Sequence, residues 1–201
     1  MAVNSRISGF RGEFLWELDI AQAQLLALGD ALPAENYGYR PAEDARSFSQ
    51  VLVHVAAGNL LLLRLAGILM PGSFDPYGSL EGNRQARFVA AIRRNLALEK
   101  TSLDKQQAME LLRNSFEIVR NSVLAASDLD LERTGEFFGE KSTVRRVLLR
   151  ILVHSHEHMG QAVAYARSCQ IKAPWPDPLS QLDQVEAGAP SLDGTPQPSQ
   201  P

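Results

Sequence analysis

Between Val51 and Met70 the chain runs almost without a polar interruption: Val51-Leu52-Val53-His54-Val55-Ala56-Ala57-Gly58-Asn59, then a leucine-rich stretch to Met70. An apolar run of that length has two stable homes, a bilayer or the interior of a helical protein. This one carries His54, Asn59 and Arg64. One charged and two polar groups are costly in lipid, and no basic flank sets an orientation across a membrane. The run therefore predicts a helix covered by other helices and no membrane span. The rest of the chain must supply the cover.

Three further long helical patterns do so. From about Ser5 to Leu32, the residues Phe10, Phe14, Leu18, Leu25 and Leu28 recur near the helical period, with Asn4 or Ser5 as cap and Pro33 beyond the end. From Leu103 to Ala126 the inward stripe is Met109, Leu112, Phe116, Val119 and Val123, with a cap in Thr101-Ser102-Leu103-Asp104. The last helix opens at Ser142-Thr143 and reaches about Gln170. The apolar run itself starts at Ser47-Phe48-Ser49-Gln50 and stops at Pro71-Gly72. Ser47 and Gln50 form a capping box: the Ser47 hydroxyl accepts from the Gln50 amide, and the Gln50 side chain reaches back. A shorter helix is predicted over Asn83–Leu98, with Arg84, Arg87, Arg93 and Arg94 on a solvated side and Phe88, Val89, Ile92 and Leu96 on the other. Ser127 to Glu140 reads as a connection containing Gly135 and Gly139, and no strand is expected.

These patterns define an all-α fold. Residues 1–175 form a four-helix bundle with one extra short helix, and residues 176–201 form a proline-rich, disordered tail. Seven of the eleven prolines lie from Pro174 onward, where too little apolar area remains to offset the entropy of ordering, apart from a short helical piece at 179–186. Connection lengths permit either a simple or a crossover topology. With 45% hydrophobic residues the chain can bury one sizeable core. A net charge of -3 gives no basic excess for a nucleic-acid partner. The single cysteine, Cys169, excludes an intrachain disulfide, and the first residues show no secretory pattern, so a cytoplasmic protein is expected.

The four histidines are His54, His154, His156 and His158. On the last helix Val144, Val147, Leu148, Ile151, His154, His158, Ala162 and Tyr165 follow one another at three- and four-residue steps, which makes one inward stripe. His154 and His158 are a turn apart on it and can reach a single point. His156 points to the opposite side. An unpaired imidazole on an apolar stripe would lose hydrogen bonds, so the pair needs a partner. His54, between Val51 and Gly58 on its own face, is the candidate, with Gly58 leaving space beside its ring. Three imidazoles and no fourth protein ligand suit a divalent metal ion (zinc, nickel or iron) with open coordination positions. The His-Glu-x-x-His arrangement of zinc proteases is absent, so Glu157 has no claim by motif to act as general base. Gln161, one turn beyond His158, is a candidate to orient a ring, and Asn59 is a second candidate for supporting the ligands. Cys169 lies roughly 16 Å along the helix from His158 and is a poor ligand.

Two stretches resemble a known family. Tyr39-Arg40-Pro41 through Arg46-Ser47-Phe48-Ser49-Gln50-Val51-Leu52-Val53-His54-Val55-Ala56, with Asn59 soon after, is similar to the first-histidine helix of the DinB/YfiT-like superfamily of metal-dependent four-helix bundles. His154-x-x-x-His158-Met159-Gly160-Gln161, followed by Val163-Ala164-Tyr165-Ala166-Arg167, resembles that superfamily's second-histidine helix, with a departure at Met159. The similarity covers roughly residues 8 to 175. It implies an up-up-down-down-like bundle, a metal held by His54, His154 and His158, and a homodimer. Some members are transferases or isomerases that use low-molecular-weight thiols such as bacillithiol or mycothiol.

The expected function is therefore a metal-dependent S-transferase in which the ion activates a low-molecular-weight thiol toward a small-molecule substrate. Its nearest alternative is metal-assisted hydrolysis. The other class is a non-catalytic metal-binding or stress-related interaction protein. A cationic rim at the metal would favour the thiol, and a catalytic carboxylate beside it would favour water.

Overall fold

The computed structural model describes residues 8–68, 78, 80–101, 103–137 and 139–176. In chain order the elements are α1 (Gly9–Ala31), a short 3-10 turn (Ala34–Asn36), α2 (Phe48–Ala66), α3 (Arg84–Glu99), α4 (Lys105–Ala125), α5 (Asp128–Glu132), β1 (Thr134–Phe137), β2 (Glu140–Thr143) and α6 (Val144–Ser168). The expected caps at Asn4 and Ser5, the expected disorder beyond Pro176 and the helical piece at 179–186 lie outside the described residues.

Helix α2 begins as its sequence dictates. Ser47 Oγ accepts from the Gln50 amide at 3.2 Å, and Gln50 Oε1 accepts from the Ser47 amide at 2.9 Å. Ser47→Ala removes that cap and is expected to cost about 1 kcal/mol, read as a lower urea midpoint at unchanged m-value. A midpoint equal to wild type would show that the box contributes nothing. The helix ends earlier than the proline at 71 suggests. Gly67 adopts φ 67°, its amide bonds to Arg64 O, and the Ile68 amide bonds to Leu63 O at 3.3 Å. This is a left-handed glycine stop, and Arg133 donates to the Ala66 carbonyl at 2.8 Å. Nearly every residue of α2 is buried, as expected for a bundle core helix that is also long and apolar enough to cross a membrane.

The contacts settle the topology. α1 and α2 each pack against α4 and α6, so the order around the bundle is α1, α4, α2, α6. Lys105 at the start of α4 donates to Asp30 O and Leu32 O at the end of α1, while Arg11 near the start of α1 donates to Ala126 O. α1 and α4 are therefore antiparallel. Ser49 bonds to Leu103 O, and Asn59 to Ser115, so α2 and α4 run parallel. Tyr39, just ahead of α2, packs on Tyr165 near the end of α6, so α2 and α6 are antiparallel. The four main helices run up-down-down-up, which corrects the up-up-down-down order. α3 is the crossover that carries the chain back between the two parallel helices.

Two local expectations change. The connection after α4 is not irregular: Ser127 caps α5, and β1 and β2 pair antiparallel from Thr134↔Thr143 to Phe137↔Glu140. On α3 the buried line is Ala91, Asn95 and Glu99, and Leu96 is exposed. Ile92 packs beside Ala91 as expected, so of the four apolar residues assigned to the inner side Leu96 is the one that faces out. The main core gathers Phe14, Leu18, Leu25, Leu28, Phe48, Leu52, Leu63, Leu112, Phe116, Leu148 and Ile151.

Candidate metal centre

His54 lies in the second turn of α2, and His154 and His158 face it from α6. The ring centroids form a near-equilateral triangle: 4.8 Å for His54–His154, 4.4 Å for His54–His158 and 4.6 Å for His154–His158. The His54 and His154 Nε2 atoms are 3.1 Å apart. Each ring offers a nitrogen within 4.8 Å of the others, and all three are partly exposed toward one end of the bundle. His156 stands outside the cluster, as helical phase requires. Gly58 leaves its space to a different ring from the one expected. A Cβ on Gly58 would sit 2.4 Å from His154 Cε1 and 2.8 Å from His154 Nδ1. The glycine therefore admits His154 across the α2–α6 contact.

Two rings are held from behind. His158 Nδ1–H donates to Gln161 Oε1 at 2.9 Å, and Gln161 Nε2 donates to the Tyr165 hydroxyl at 2.9 Å, which fixes the amide's orientation. His54 Nδ1 lies 2.8 Å from Glu99 Oε2. That same oxygen accepts from Arg46 at 3.0 Å, and Glu99 Oε1 accepts from Asn95. His154 has no such support, since its Nδ1 is buried without a partner. Asn59 turns away from the rings, toward α4, where it donates to Ser115 Oγ at 3.2 Å. Cys169 caps the far end of α6.

Sequence reasoning missed Glu99, Arg46 and Tyr165. Tyr165 stood on the inward stripe, where an aromatic reads as core. Glu99 belongs to a line of one small and two polar residues, Ala91, Asn95 and Glu99, that carries no hydrophobic signal. Only its four-residue spacing could have drawn notice.

The electrostatics favour uncharged imidazoles at His154 and His158. Burial, then the neighbouring His158 and His54, push His154 down to about 3. Burial also lowers His158, against the opposing pull of Gln161. Burial alone would raise Glu99, but its bonds to His54 and Arg46 outweigh that and hold it below the usual carboxylate range.

The residues fit a metal ion. With protons on Nδ1 of His54 and His158, both Nε2 atoms carry a lone pair, and His54 Nε2 faces His154 Nε2 at 3.1 Å across the α2–α6 contact. Imidazole nitrogens about 2.0–2.1 Å from a tetrahedral ion lie roughly 3.4 Å from one another, close to the separation that the His54 and His154 nitrogens already have. Neutral nitrogen donors of this kind suit zinc, nickel or iron.

An α-helical bundle that brings three histidines from two helices to one point defines a class of candidate metal proteins. The chain belongs to the DinB superfamily, whose family model matches residues 17–162. Its fold is similar to that of a DinB-like protein from Bacillus cereus, with a TM-score of 0.61 and 16% identity over 82% of this chain and 95% of that one. A DinB-like protein from Bacillus subtilis, YjoA, gives a TM-score of 0.59 and 18% identity over 82% of this chain and 96% of that one. No curated protein matches it by sequence.

Proposed function

We propose that the protein holds one divalent metal ion through His54, His154 and His158 and transfers a low-molecular-weight thiol to an electrophilic small molecule. The convergence of three imidazoles with free coordination positions carries this reading. A bound divalent ion supplies Lewis acidity that lowers the pKa of a coordinated thiol.

The chain's own groups favour a thiol over water. Glu99 is the carboxylate in contact with a ligand, and both of its oxygens are engaged by His54, Arg46 and Asn95. It is a poor general base for hydrolysis. Glu157 is exposed and paired with Arg150 at 3.2 Å. Arg46, by contrast, keeps its side chain 41% exposed beside the ligands and spends one nitrogen on Glu99. Its remaining N–H groups can receive a carboxylate of the kind that small thiol cofactors carry. The same reading places the protein in the cytoplasm, where such thiols are kept reduced.

The test is conjugation of bacillithiol, mycothiol, cysteine or glutathione to an electrophilic fluorophore by metal-loaded protein. Metal-dependent conjugation with at least one thiol, lost in His158→Ala, is expected. A fully loaded site that conjugates none of them overturns the transferase reading.

A further inference from the structure

Helix α3 is lightly seated for its length. Its principal partner is α2, and its buried residues are Ala91, Asn95 and Glu99. Ala91 packs with Leu60 and Leu61 in a small cluster that Ile92 joins, and Leu98 reaches the edge of the main core. A helix of 16 residues whose one fully buried apolar residue is an alanine is marginal by itself. Its other fully buried residues, Asn95 and Glu99, are polar, and they end on a candidate ligand. Glu99 Oε2 lies 2.8 Å from His54 Nδ1, while Arg46 from the loop before α2 and Asn95 from α3 grip the same carboxylate. Glu99 is only 8% exposed, so it has one place to be.

We propose that Glu99 is a positioning residue for the metal centre, and that through it the seating of α3 on α2 is coupled to occupancy of the site. The inference rests on the reading that His54, His154 and His158 hold a metal. A carboxylate behind Nδ1 keeps the proton there, turns Nε2 toward the ion and strengthens it as a donor. The state of His54 that binds best is the state in which α3 is seated. An ion that prefers that state must stabilise it in return, because coupling between two equilibria is reciprocal. Metal binding therefore tightens a helix that touches no metal.

The experiment measures zinc affinity by competition with a chromophoric chelator, and backbone amide exchange across α3 with and without zinc. It uses the full chain as wild type, Glu99→Gln, Glu99→Ala and His54→Ala. Glu99→Gln keeps the shape and an acceptor oxygen, so it preserves the fold while removing the charge. Its zinc affinity is expected to fall 10- to 100-fold, the usual range for such supporting groups. In wild type, zinc should slow exchange in α3. That slowing should shrink in Glu99→Gln and vanish in His54→Ala. If wild type binds zinc but both Glu99 variants bind within twofold of it, and α3 exchange ignores zinc, the inference is overturned while the metal reading stands. If folded wild type binds no zinc, nickel or iron, the metal reading itself has failed.

Discussion

His158→Ala and His54→Ala are each expected to weaken metal binding by more than about 100-fold in a chain that stays folded, whereas His156→Ala binds within twofold of wild type. The reason is geometric. His54, His154 and His158 bring their rings to within 4.8 Å of one another from two antiparallel helices, and His156 lies on another face of α6. Losing one of three donors costs more than losing a supporting group, for which 10- to 100-fold is usual. The fold should tolerate the change. These rings are partly exposed and contribute little to the apolar core, so the metal-free variants should lose no more than about 1–2 kcal/mol. Isothermal titration with zinc alongside urea unfolding separates the two effects. Equal loss in His156→Ala and His158→Ala would mean that the ligands are not those that the fold brings together.

Gly58→Ala is expected to damage the site more than the fold. At an ordinary helix position this change gains about 1 kcal/mol. Here the new Cβ would meet His154 Cε1 at 2.4 Å and Nδ1 at 2.8 Å, far inside contact distance. Something must move, and the ring is what can. Its Nδ1 is buried with no partner, whereas His158 Nδ1 bonds to Gln161 and His54 Nδ1 stands 2.8 Å from the Glu99 carboxylate. Turning it aside relieves an overpacking penalty of about 1–3 kcal/mol but withdraws a donor from the triangle. Metal affinity should fall nearly as far as in His158→Ala, while the metal-free urea midpoint shifts by the equivalent of about 1 kcal/mol or less. Wild-type affinity in Gly58→Ala would show that His154 does not need the space beside α2.

The histidine cluster was legible because its members lie on strongly periodic helices. Helical phase alone separates His154 and His158 from His156, and the apolar run around His54 can only be a core helix. The Ser47–Gln50 box was legible because it is local chemistry. What escaped depended on how helices meet. Gly58 could be seen to leave room, but which ring fills it depends on the register between α2 and α6. On α3 the inner side was found through Ile92, but Asn95 and Glu99 were missed because polar residues carry no weight in a hydrophobic pattern, and Leu96 was assigned there although it is exposed. The burial of the two polar residues is set by polar partners on α2 and the preceding loop. The hairpin at 134–143 was hidden by its shortness, with four residues in each strand. The up-down-down-up order came from bonds between residues more than fifty apart, such as Ser49 to Leu103 and Arg11 to Ala126.

One metal ion is expected among His54, His154 and His158. The most direct measurement is anomalous diffraction at the metal's absorption edge, on crystals of protein purified without a histidine tag and loaded with zinc. One anomalous peak per chain, about 2.0–2.1 Å from a ring nitrogen of each of the three histidines, is the predicted result. A peak at His156 or elsewhere on the surface, or none at the triangle under saturating zinc, would contradict it.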